Sequence, residues 1–374
     1  MRLILLLCGL QALASASQHR QVFEIPSAIQ NETSIAQFTS TSTPLDAPKA
    51  HPINGSAFDW WYFDVVSSDP GSLASVVVTF FASSQPAFPL LHASNNVLPV
   101  RLWVSFPNGT LAQAEAFASS ATVSTEGDNS SGDWHGTGFK WTKVSSTYTI
   151  EVDAPSVGIK GSIVFKSTAP AHLPCGAVVD GGTLQVGPHI GWANAVPDAA
   201  STVNLEINGT ALVFEGSGYH DKNWSDQPFT THVASWYWGH GRLGPFTLVW
   251  FDMLDLNGVE HVSAYLAKDN QIVTASCASQ SISVRPTGAN NASFYPPVLS
   301  TPNPTGYHIS LDLGNKTRME VDVNVLVNLN EFNPAYARVV GNMSARVVVP
   351  PGARGKTQAD LQGMALFEQF KLIK

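Results

Sequence analysis

The sequence predicts an all-β protein built from two antiparallel β-barrel or β-sandwich domains, with a helix at the C-terminus. The first observation is that apolar and polar residues alternate in short segments, which is the pattern of half-buried strands. The second is that Asn-Gly pairs lie between such segments, and this pair favours the type I′ turns of β-hairpins. The third is that the segments form no strand–helix–strand repeat, which argues against a parallel sheet. The Asn-Gly pairs are Asn108-Gly109, Asn208-Gly209 and Asn257-Gly258.

The 374-residue chain begins with a basic residue, Arg2, followed by an apolar run at residues 3–10 and small residues at 14–16. The run is far shorter than the ~20 apolar residues that a membrane span needs. Residues 1–16 are therefore predicted to be a secretory signal peptide. We expect a protein of the secretory pathway, secreted or held in the lumen of vesicles, without a stable membrane span.

Residues 17–50 are rich in Ser, Thr, Gln and Pro, so we predict an extended N-terminal arm. At roughly 150 residues per domain, the rest of the chain suggests two domains. A stretch rich in Pro, Gly and Ala, residues 187–201, is the predicted linker. We place the N-terminal β domain at residues 51–202 and the C-terminal β domain at residues 203–374. Strands are predicted at residues 74–81, 100–106, 148–152, 159–165, 211–215, 246–253, 262–266, 272–275, 307–313 and 319–327.

The terminal helix is predicted over Gln358 to Phe370. Four apolar residues there recur at a spacing that could dock one helix face. They are Leu361, Met364, Phe367 and Phe370.

Cysteines and glycosylation sequons both fit an oxidising compartment. Removal of a signal peptide would take Cys8 with it and leave Cys175 and Cys277, which we predict to pair; two separate buried thiols are the alternative. Nine Asn-X-Ser/Thr sequons predict a heavily glycosylated chain. They are Asn31, Asn54, Asn108, Asn129, Asn208, Asn223, Asn291, Asn315 and Asn342.

Two aromatic clusters are candidates for the walls of a binding site, because grouped Trp and Tyr side chains suit a flat organic ligand. The first is residues 58–64, Phe-Asp-Trp-Trp-Tyr-Phe-Asp, and the second is residues 236–242, Trp-Tyr-Trp-Gly-His-Gly-Arg. If the first is a strand, Asp59, Trp61 and Phe63 share one face and Phe58, Trp60, Tyr62 and Asp64 the other. Only one face can line a pocket. The bland alternative for the second cluster is an aromatic core with a cation–π contact.

The segment from Gly216 to Trp224 carries the most titratable groups, in the order Gly-Ser-Gly-Tyr-His-Asp-Lys-Asn-Trp. Its glycines permit a bulge or close backbone approach. In an extended segment, Tyr219, Asp221 and Asn223 share one face, and His220, Lys222 and Trp224 share the other. Tyr219 and Asp221 could together orient or protonate a bound group. A polar, hydrogen-bonded barrel mouth is the alternative.

Several reaction classes lack a signal in the sequence. The formal net charge of −8 at pH 7 argues against a nucleic-acid partner. The histidines show no His-Glu-X-X-His spacing, and neither a Gly-X-Ser-X-Gly elbow nor a dinucleotide fingerprint is present. We therefore expect neither a metal nor a cofactor, and no covalent nucleophile.

Three motifs give the chain a family resemblance. Residues 59–64, 216–224 and 236–240 resemble the carotenoid 1,2-hydratase-like, two-domain lipocalin family, whose fungal branch includes Diels-Alderases. The resemblance implies two lipocalin-like β domains and an interdomain pocket. In the hydratase branch, it implies that Tyr219 and Asp221 protonate an alkene. The predicted leader and the sequons most resemble the secreted hetero-Diels-Alderases of tropolonic sesquiterpene pathways.

We predict a cofactor-independent pericyclase that performs a stereoselective Diels-Alder or hetero-Diels-Alder reaction on an apolar polyene or terpene and a reactive heterodiene. A cycloaddition needs two π systems held in one orientation, and a donor such as Arg242, His240 or Lys222 on a carbonyl would activate the electron-poor partner. The alternatives are a hydratase or cyclase that uses Asp221 as proton donor, and a non-catalytic carrier. No oligomeric state is predicted. The candidate catalytic residues are Tyr219, Asp221, Lys222, His240 and Arg242, and the candidate substrate-binding residues are Trp60, Trp61, Tyr62, Trp224, Trp236, Trp238 and Trp250.

Overall fold

The computed structural model describes residues 20–332, 334–349 and 358–374, so the predicted signal peptide lies outside the described residues. The described chain is almost entirely β, with two short 3-10 helices at Pro155–Val157 and Phe229–Thr231. No helix in these ranges is long and apolar enough to cross a membrane. The strands of the first half are β1 Gln21–Pro26, β2 Ile35–Ala36, β3 Ala50–His51, β4 Phe58–Ser67, β5 Ser75–Ser83, β6 Pro99–Ser105, β7 Leu111–Phe117, β8 Ser120–Glu126, β9 Asn129–Trp134, β10 Phe139–Val144, β11 Thr147–Ala154, β12 Ile159–Ser167, β13 His172–Leu173, β14 Gly176–Ala177, β15 Gln185–Gly187, β16 Ile190–Ile207 and β17 Thr210–Ser225.

The strands of the second half are β18 Ser235–Leu243, β19 Phe246–Leu254, β20 Glu260–Lys268, β21 Gln271–Ser276, β22 Ile282–Thr287, β23 Gly306–Asp312, β24 Arg318–Phe332, β25 Tyr336–Val348 and β26 Gln358–Lys371. They form one sheet in the order β21-β20-β19-β18-β26-β25-β24-β23-β22. The first-half sheet runs β1-β8-β9-β10-β11-β12-β16-β17-β4-β5-β6-β7, with β13, β14 and β15 attached beside β16. The two curled antiparallel sheets confirm the predicted all-β class.

The predicted C-terminal helix is wrong. Residues 358–371 form β26, which lies between β18 and β25. Both faces of this strand are buried over residues 364–371: Met364 and Phe370 face the other sheet, whereas Ala365 and Phe367 face the core of their own sheet. A strand covered on both sides carries apolar residues without strict alternation, and here their spacing imitates that of a helix.

The domain boundary predicted near residue 203 falls inside β16, and the first sheet continues through β17 to Ser225. The chain passes to the second sheet between Ser225 and Ser235. The stretch predicted as a linker is a long strand whose register shifts between Asn194 and Ala199, around Pro197. Irregular pairing accommodates a proline that a regular ladder would exclude.

The predicted N-terminal arm is part of the fold. Its strand β1 pairs with β8, and Asp46 and Lys49 are buried beneath the first sheet. Three apolar cores result: one within each sheet and one between them. The core between the sheets contains the face of β4 that includes Trp60 and Tyr62, which confirms the predicted split of residues 58–64 into two faces.

The predicted disulfide between Cys175 and Cys277 is confirmed, and it joins the loop after β13 to the loop after β21. Asn54 is half-buried, and seven other sequon asparagines are exposed. Asn223 is a correction: it is 3% exposed and donates to the Gly191 carbonyl, so its side chain cannot carry a glycan in this fold.

Candidate active site

A narrow cavity lies between the two sheets, with about 40 Å³ open to a water-sized sphere among its lining side chains. Strands β4, β5, β6 and β17 form one wall, and β18, β24, β25 and β26 form the other. About half of the lining is aromatic, and apart from Leu90 the remainder is polar or charged. The lining residues are Trp60, Tyr62, Thr79, Phe81, Phe88, Leu90, Arg101, Trp103, Asp221, Asn223, Trp236, Trp238, Asn330, Tyr336, Arg338, Glu368 and Phe370.

The register of the first sheet arranges its wall in two rows. In antiparallel sheets, residues paired across neighbouring strands point to the same face. The polar row crosses β17, β4, β5 and β6 through the paired residues Asp221, Tyr62, Thr79 and Arg101. A second row, one pleat along, consists of Asn223, Trp60 and Phe81. The wall therefore carries a polar stripe beside a mainly aromatic one.

The second sheet repeats this arrangement. Its polar row crosses β18, β26, β25 and β24 through Trp238, Glu368, Arg338 and Asn330. Its aromatic row is Trp236, Phe370 and Tyr336. The two polar rows meet, because the ring of Tyr62 lies 5.4 Å from that of Trp238 and 5.0 Å from the Arg338 guanidinium.

Asp221 is a buried carboxyl at one end of the polar row. Trp192 Nε1 and the Tyr219 hydroxyl donate hydrogen bonds to its Oδ2, at 2.7 and 2.8 Å. Burial raises the pKa of Asp221 to about 8, because desolvation outweighs these two hydrogen bonds. A raised pKa favours the neutral carboxylic acid, which is the form able to donate a hydrogen bond or a proton into the cavity.

Tyr219 lies two residues before Asp221 on the same face of β17, and it belongs to a cluster of side chains that supports Asp221. Trp238 Nε1 donates to the Tyr219 hydroxyl at 3.3 Å, and the ring of His240 stacks on Tyr219 with centroids 4.4 Å apart. His240 Nε2 in turn contacts both oxygens of Asp64, at 2.9 and 3.0 Å. His240, a predicted catalytic residue, therefore joins β18 to β4 and holds Tyr219 in place rather than lining the cavity.

Lys222 lies on the opposite face of β17, away from the cavity. Its Nζ donates to Asp59 Oδ1 at 2.7 Å and lies 3.4 Å from the ring centroid of Trp61. Burial lowers the pKa of Lys222 to about 8, although the Asp59 carboxylate opposes this shift. On the same back face, His220 Nε2 contacts Asp46 Oδ1 at 3.0 Å. Both contacts hold β17 in place on the face that points away from the cavity.

The structure brings together five of the predicted residues as cavity lining: Trp60, Tyr62, Asp221, Trp236 and Trp238. The other predicted tryptophans, Trp61, Trp224 and Trp250, are buried in the cores inside the two sheets. Arg242 lies elsewhere, because its guanidinium forms two 2.8 Å hydrogen bonds with Asp198. Lys222 and Arg242 are therefore not placed to polarise a substrate carbonyl in this cavity.

Sequence reasoning missed Arg101, Trp103, Tyr336, Arg338 and Glu368. Alternation places Arg101 and Trp103 on the face of their strand opposite its apolar side chains, but it does not indicate what covers that face. One signal was available: an arginine and a tryptophan on that face of a short apolar strand suit a covered surface better than water. Among the described residues, no group of three or more His, Cys, Asp or Glu side chains is arranged to hold a metal ion.

Comparison with known proteins gives a family for this architecture. The family described as Diels-Alderase-like matches residues 19–320, most of the chain. The chain belongs to the Diels-Alderase-like family. Membership confirms the predicted family and, together with curated relatives named as Diels-Alderases, the predicted enzyme class.

Two relatives match this chain along nearly their whole length. The quinolone epoxide rearrangement protein asqO of Emericella nidulans is 31% identical over 374 residues, which cover 99% of each chain. The quinolone epoxide rearrangement protein penF of Penicillium thymicola is 33% identical over 358 residues, covering 94% of this chain and 95% of the relative. The Diels-Alderase ucsH of an Acremonium species is 26% identical and matches 65% of this chain and 61% of its own.

Solved structures show the same fold. The crystal structure of CghA with Sch210972 has a TM-score of 0.72 and 16% identity, covering 95% of this chain and 99% of that one. Kievitone hydratase from Nectria haematococca has a TM-score of 0.52 and 12% identity, covering 93% of this chain and 99% of that one. The two-sheet architecture is therefore shared with proteins of different names.

Proposed function

We propose that this family member is a pericyclase that folds or gathers its substrates in the cavity between the sheets and activates one carbonyl oxygen through Asp221. The observation that carries the proposal is the buried carboxyl of Asp221, whose pKa is raised by burial, on a polar row beside an aromatic one. A neutral carboxylic acid donates a short, directional hydrogen bond, and it does so without adding a buried charge.

The aromatic rows supply the orientation. Trp60 packs 4.7 Å from Phe88, and Trp236 packs 5.4 Å from Phe370, measured between ring centroids. Such walls hold a flat apolar π system by its faces, and fixed orientation can remove up to about 7–11 kcal/mol of the barrier of an associative reaction. A donor aimed at a carbonyl contributes a few kcal/mol more. Together these two effects suit a cycloaddition, which needs no nucleophile.

The decisive experiment for a pericyclase is product stereochemistry. Purified protein is incubated with candidate dienes and heterodienes, and the rate and enantiomeric excess are compared with a reaction without protein. We expect a faster reaction and one dominant stereoisomer. A carrier would leave both unchanged, and this outcome would contradict the proposal.

A second candidate function is the acid-catalysed rearrangement of an epoxide. Two findings favour it: the two nearly full-length relatives are named as quinolone epoxide rearrangement proteins, and burial raises the pKa of Asp221 to about 8. In this reaction, the Asp221 proton passes to the epoxide oxygen as a carbon–oxygen bond breaks, and the carboxylate later accepts the proton that the rearranged cation loses. The hydratase alternative would use the same donor on an alkene.

The variant Asp221→Asn separates placement from proton transfer. An amide keeps a hydrogen-bond donor but cannot give up a proton at pH 7. We expect a cycloaddition to keep about a tenth or more of its rate, whereas proton-transfer chemistry should fall by about 10²–10⁴-fold. Asp252→Asn is the matched control, because Asp252 is a buried carboxyl of the second sheet outside the cavity lining. Its turnover should match that of the parent.

We further propose passage through the secretory pathway, which the predicted leader, the disulfide and the seven exposed sequons support. Peptide mass mapping before and after deglycosylation tests it, and unmodified asparagines throughout would contradict it. A tropolonic heterodiene with a terpene partner stays a prediction, to be included among the substrates assayed.

A further inference from the structure

We propose that the loop between β5 and β6 is a lid over the cavity, and that Arg101 and Glu115 hold it closed. The lid is residues 84–98. Its opening would join the cavity to a groove on the surface, through which substrates enter and products leave. The inference rests on the proposed function, because it takes the cavity between the sheets as the place of reaction.

The cavity needs an opening step because it is too small for an organic substrate. Only about 40 Å³ of it is open to a water-sized sphere. One water needs about 10–15 Å³ by this measure, so the space holds about three waters. Pockets for drug-sized ligands run to about 300–1,000 Å³. The side chains that enclose the cavity must therefore move apart before a diene or an epoxide can enter.

A wider groove lies beside the cavity, and we call it the vestibule. Residues 111–115 of β7 form one side of it, and Leu329 and Asn330 of β24 form the other. About 680 Å³ of the vestibule is open to a water-sized sphere, which is enough for a substrate. Arg101, Trp103 and Asn330 line both the vestibule and the cavity. These three side chains therefore form the partition between the two spaces.

The lid covers both spaces at this partition. It connects β5 to β6 and contains no helix or strand of its own. A loop of this length without secondary structure is uncommon in a compact domain, and such loops often serve as lids of binding sites. The side chains of Phe88 and Leu90 line the cavity, whereas His92 lines the vestibule. Movement of this segment would therefore open the cavity on the side of the vestibule.

The outer part of the lid, residues 89–95, is attached to the sheet through one network. Arg101 Nη1 donates to the Leu90 carbonyl at 2.8 Å, and Arg101 Nε donates to Glu115 Oε1. The other oxygen of Glu115 contacts His92 Nδ1 at 2.7 Å. Within the described ranges of the chain, no other hydrogen bond joins residues 89–95 to residues outside the lid. We call Arg101, Glu115 and His92 the latch.

The two ends of the lid are attached separately from the latch. Near the start, Phe229 N donates to the Ala87 carbonyl at 2.8 Å. Near the end, Val97 N donates to the Ser27 carbonyl, also at 2.8 Å. Residues 89–95 can therefore move between two fixed ends once the contacts of the latch are broken.

The latch is shielded from water, but one of its donors lacks a partner. The side chains of Arg101 and Glu115 are 8% and 19% exposed, so salt screens their ion pair less than a pair in open solvent. Arg101 Nη2 has no hydrogen-bond partner among the described residues. A buried donor without an acceptor is unfavourable, and opening would let water reach it. Opening the lid therefore relieves a cost that the closed state carries.

The binding kinetics of a neutral fluorescent probe, 1-aminoanthracene, test the lid without turnover. Glu115 and His92 line the vestibule and not the cavity, so they do not contact a probe enclosed by the lid. Weakening their contacts should speed entry and exit by the same factor and leave the Kd unchanged. In stopped-flow experiments we expect both rate constants to rise about 5- to 50-fold in Glu115→Gln and about 2- to 5-fold in His92→Ala, with Kd within about twofold.

Glu151→Gln is the matched control. Glu151 pairs with Lys140 at 2.8 Å on strands of the same sheet, outside the cavity and the vestibule, and its replacement should change neither rate constant. Rate constants in Glu115→Gln and His92→Ala equal to those of the parent would overturn the latch. A raised Kd with an unchanged association rate would show that these residues bind the probe, and it would overturn the lid. No probe binding up to about 100 μM would overturn an opening of substrate width.

Quenching of tryptophan fluorescence by acrylamide measures opening without a ligand. Trp60, Trp236 and Trp238 line the cavity. Acrylamide should quench Glu115→Gln at least about 1.5-fold more steeply than the parent or Glu151→Gln, since the variant opens more often. His92→Ala should show the same direction; its side chain is 66% exposed, so this variant tests the lid even if Glu115→Gln folds poorly. Equal quenching in His92→Ala and the parent would overturn the lid.

The outcomes distinguish this inference from the proposed function. If the variants bind the probe with the rate constants of the parent while the protein still gives stereoselective product, the lid is wrong and the function stands. If entry and exit are faster by the same factor but no candidate substrate is converted, the lid stands and the pericyclase proposal fails.

Discussion

The buried carboxyl of Asp221 makes the stability of this protein depend on pH in a way that one substitution should remove. In the folded chain the pKa of Asp221 is raised to about 8 from an ordinary value of 3.8. A group whose folded pKa is raised binds its proton more tightly in the folded than in the unfolded chain. Its contribution to stability is complete at low pH and is lost as pH rises from about 4 to about 8.

The size of the effect follows from the shift. One pKa unit corresponds to about 1.4 kcal/mol, so Asp221 alone should lower the free energy of unfolding by about 3–4 kcal/mol between pH 5 and pH 8. Asp221→Asn cannot titrate in this range. Any constant cost of the amide is the same at every pH, and the other titrating groups are common to both proteins. The difference between variant and parent therefore isolates Asp221.

Urea denaturation followed by tryptophan fluorescence, with the disulfide intact, measures this difference from pH 5 to pH 9. We expect the variant to gain about 3–4 kcal/mol over the parent between pH 5 and pH 8. Activity of the parent should fall above about pH 8, as Asp221 loses its proton. A difference that stays constant within about 1 kcal/mol across this range would refute the neutral carboxyl and, with it, the role given to Asp221.

Three further predictions concern the framework. Cys175→Ser opens a disulfide that spans 102 residues and should lower the free energy of unfolding by about 2–5 kcal/mol in urea titrations; a loss below about 1 kcal/mol would contradict it. Trp60→Ala and Trp61→Ala should each cost about 3–5 kcal/mol of stability, but only Trp60→Ala should reduce the turnover of the folded protein; an equal loss of turnover in both variants would argue against the assigned faces. Lys222→Met leaves the carboxylate of Asp59 buried without its cation and should cost about 3–5 kcal/mol; thermal and urea unfolding close to those of the parent would show that this pair is not structural.

Sequence reasoning succeeded where the information is local. The two faces of residues 58–64 follow from the alternation of a strand, as does the shared face of Tyr219 and Asp221. Strands β4 and β17 are long and pair with each other without a register shift, so alternate residues point to the same face along their whole paired length. The composition of residues 187–201 suggested a linker, because irregular strand pairing and a linker have similar compositions.

The remaining features depend on which distant strands become neighbours. Arg101 faces Thr79 only because β6 pairs with β5, and Arg338 reaches the cavity only because β25 lies beside β26. The sequence also does not reveal that Lys222 pairs with Asp59 and that Arg242 pairs with Asp198. Alternation specifies which side chains share a face, whereas the partner across a sheet or between sheets is a property of the assembled fold.

Strands β16 and β17 lie in the middle of the first sheet, between β12 and β4. This position limits where the chain can be divided in engineered chimaeras. A fragment ending at residue 202 would lack β17 and part of β16, and with them Asp221 and the neighbour of β4. The segment of residues 226–234 is instead a natural crossover point between relatives, because it divides the two cavity walls. Recombination there, with Cys175, Cys277, Asp64 and His240 retained, would exchange the Asp221 wall and the Arg338 wall as separate specificity modules.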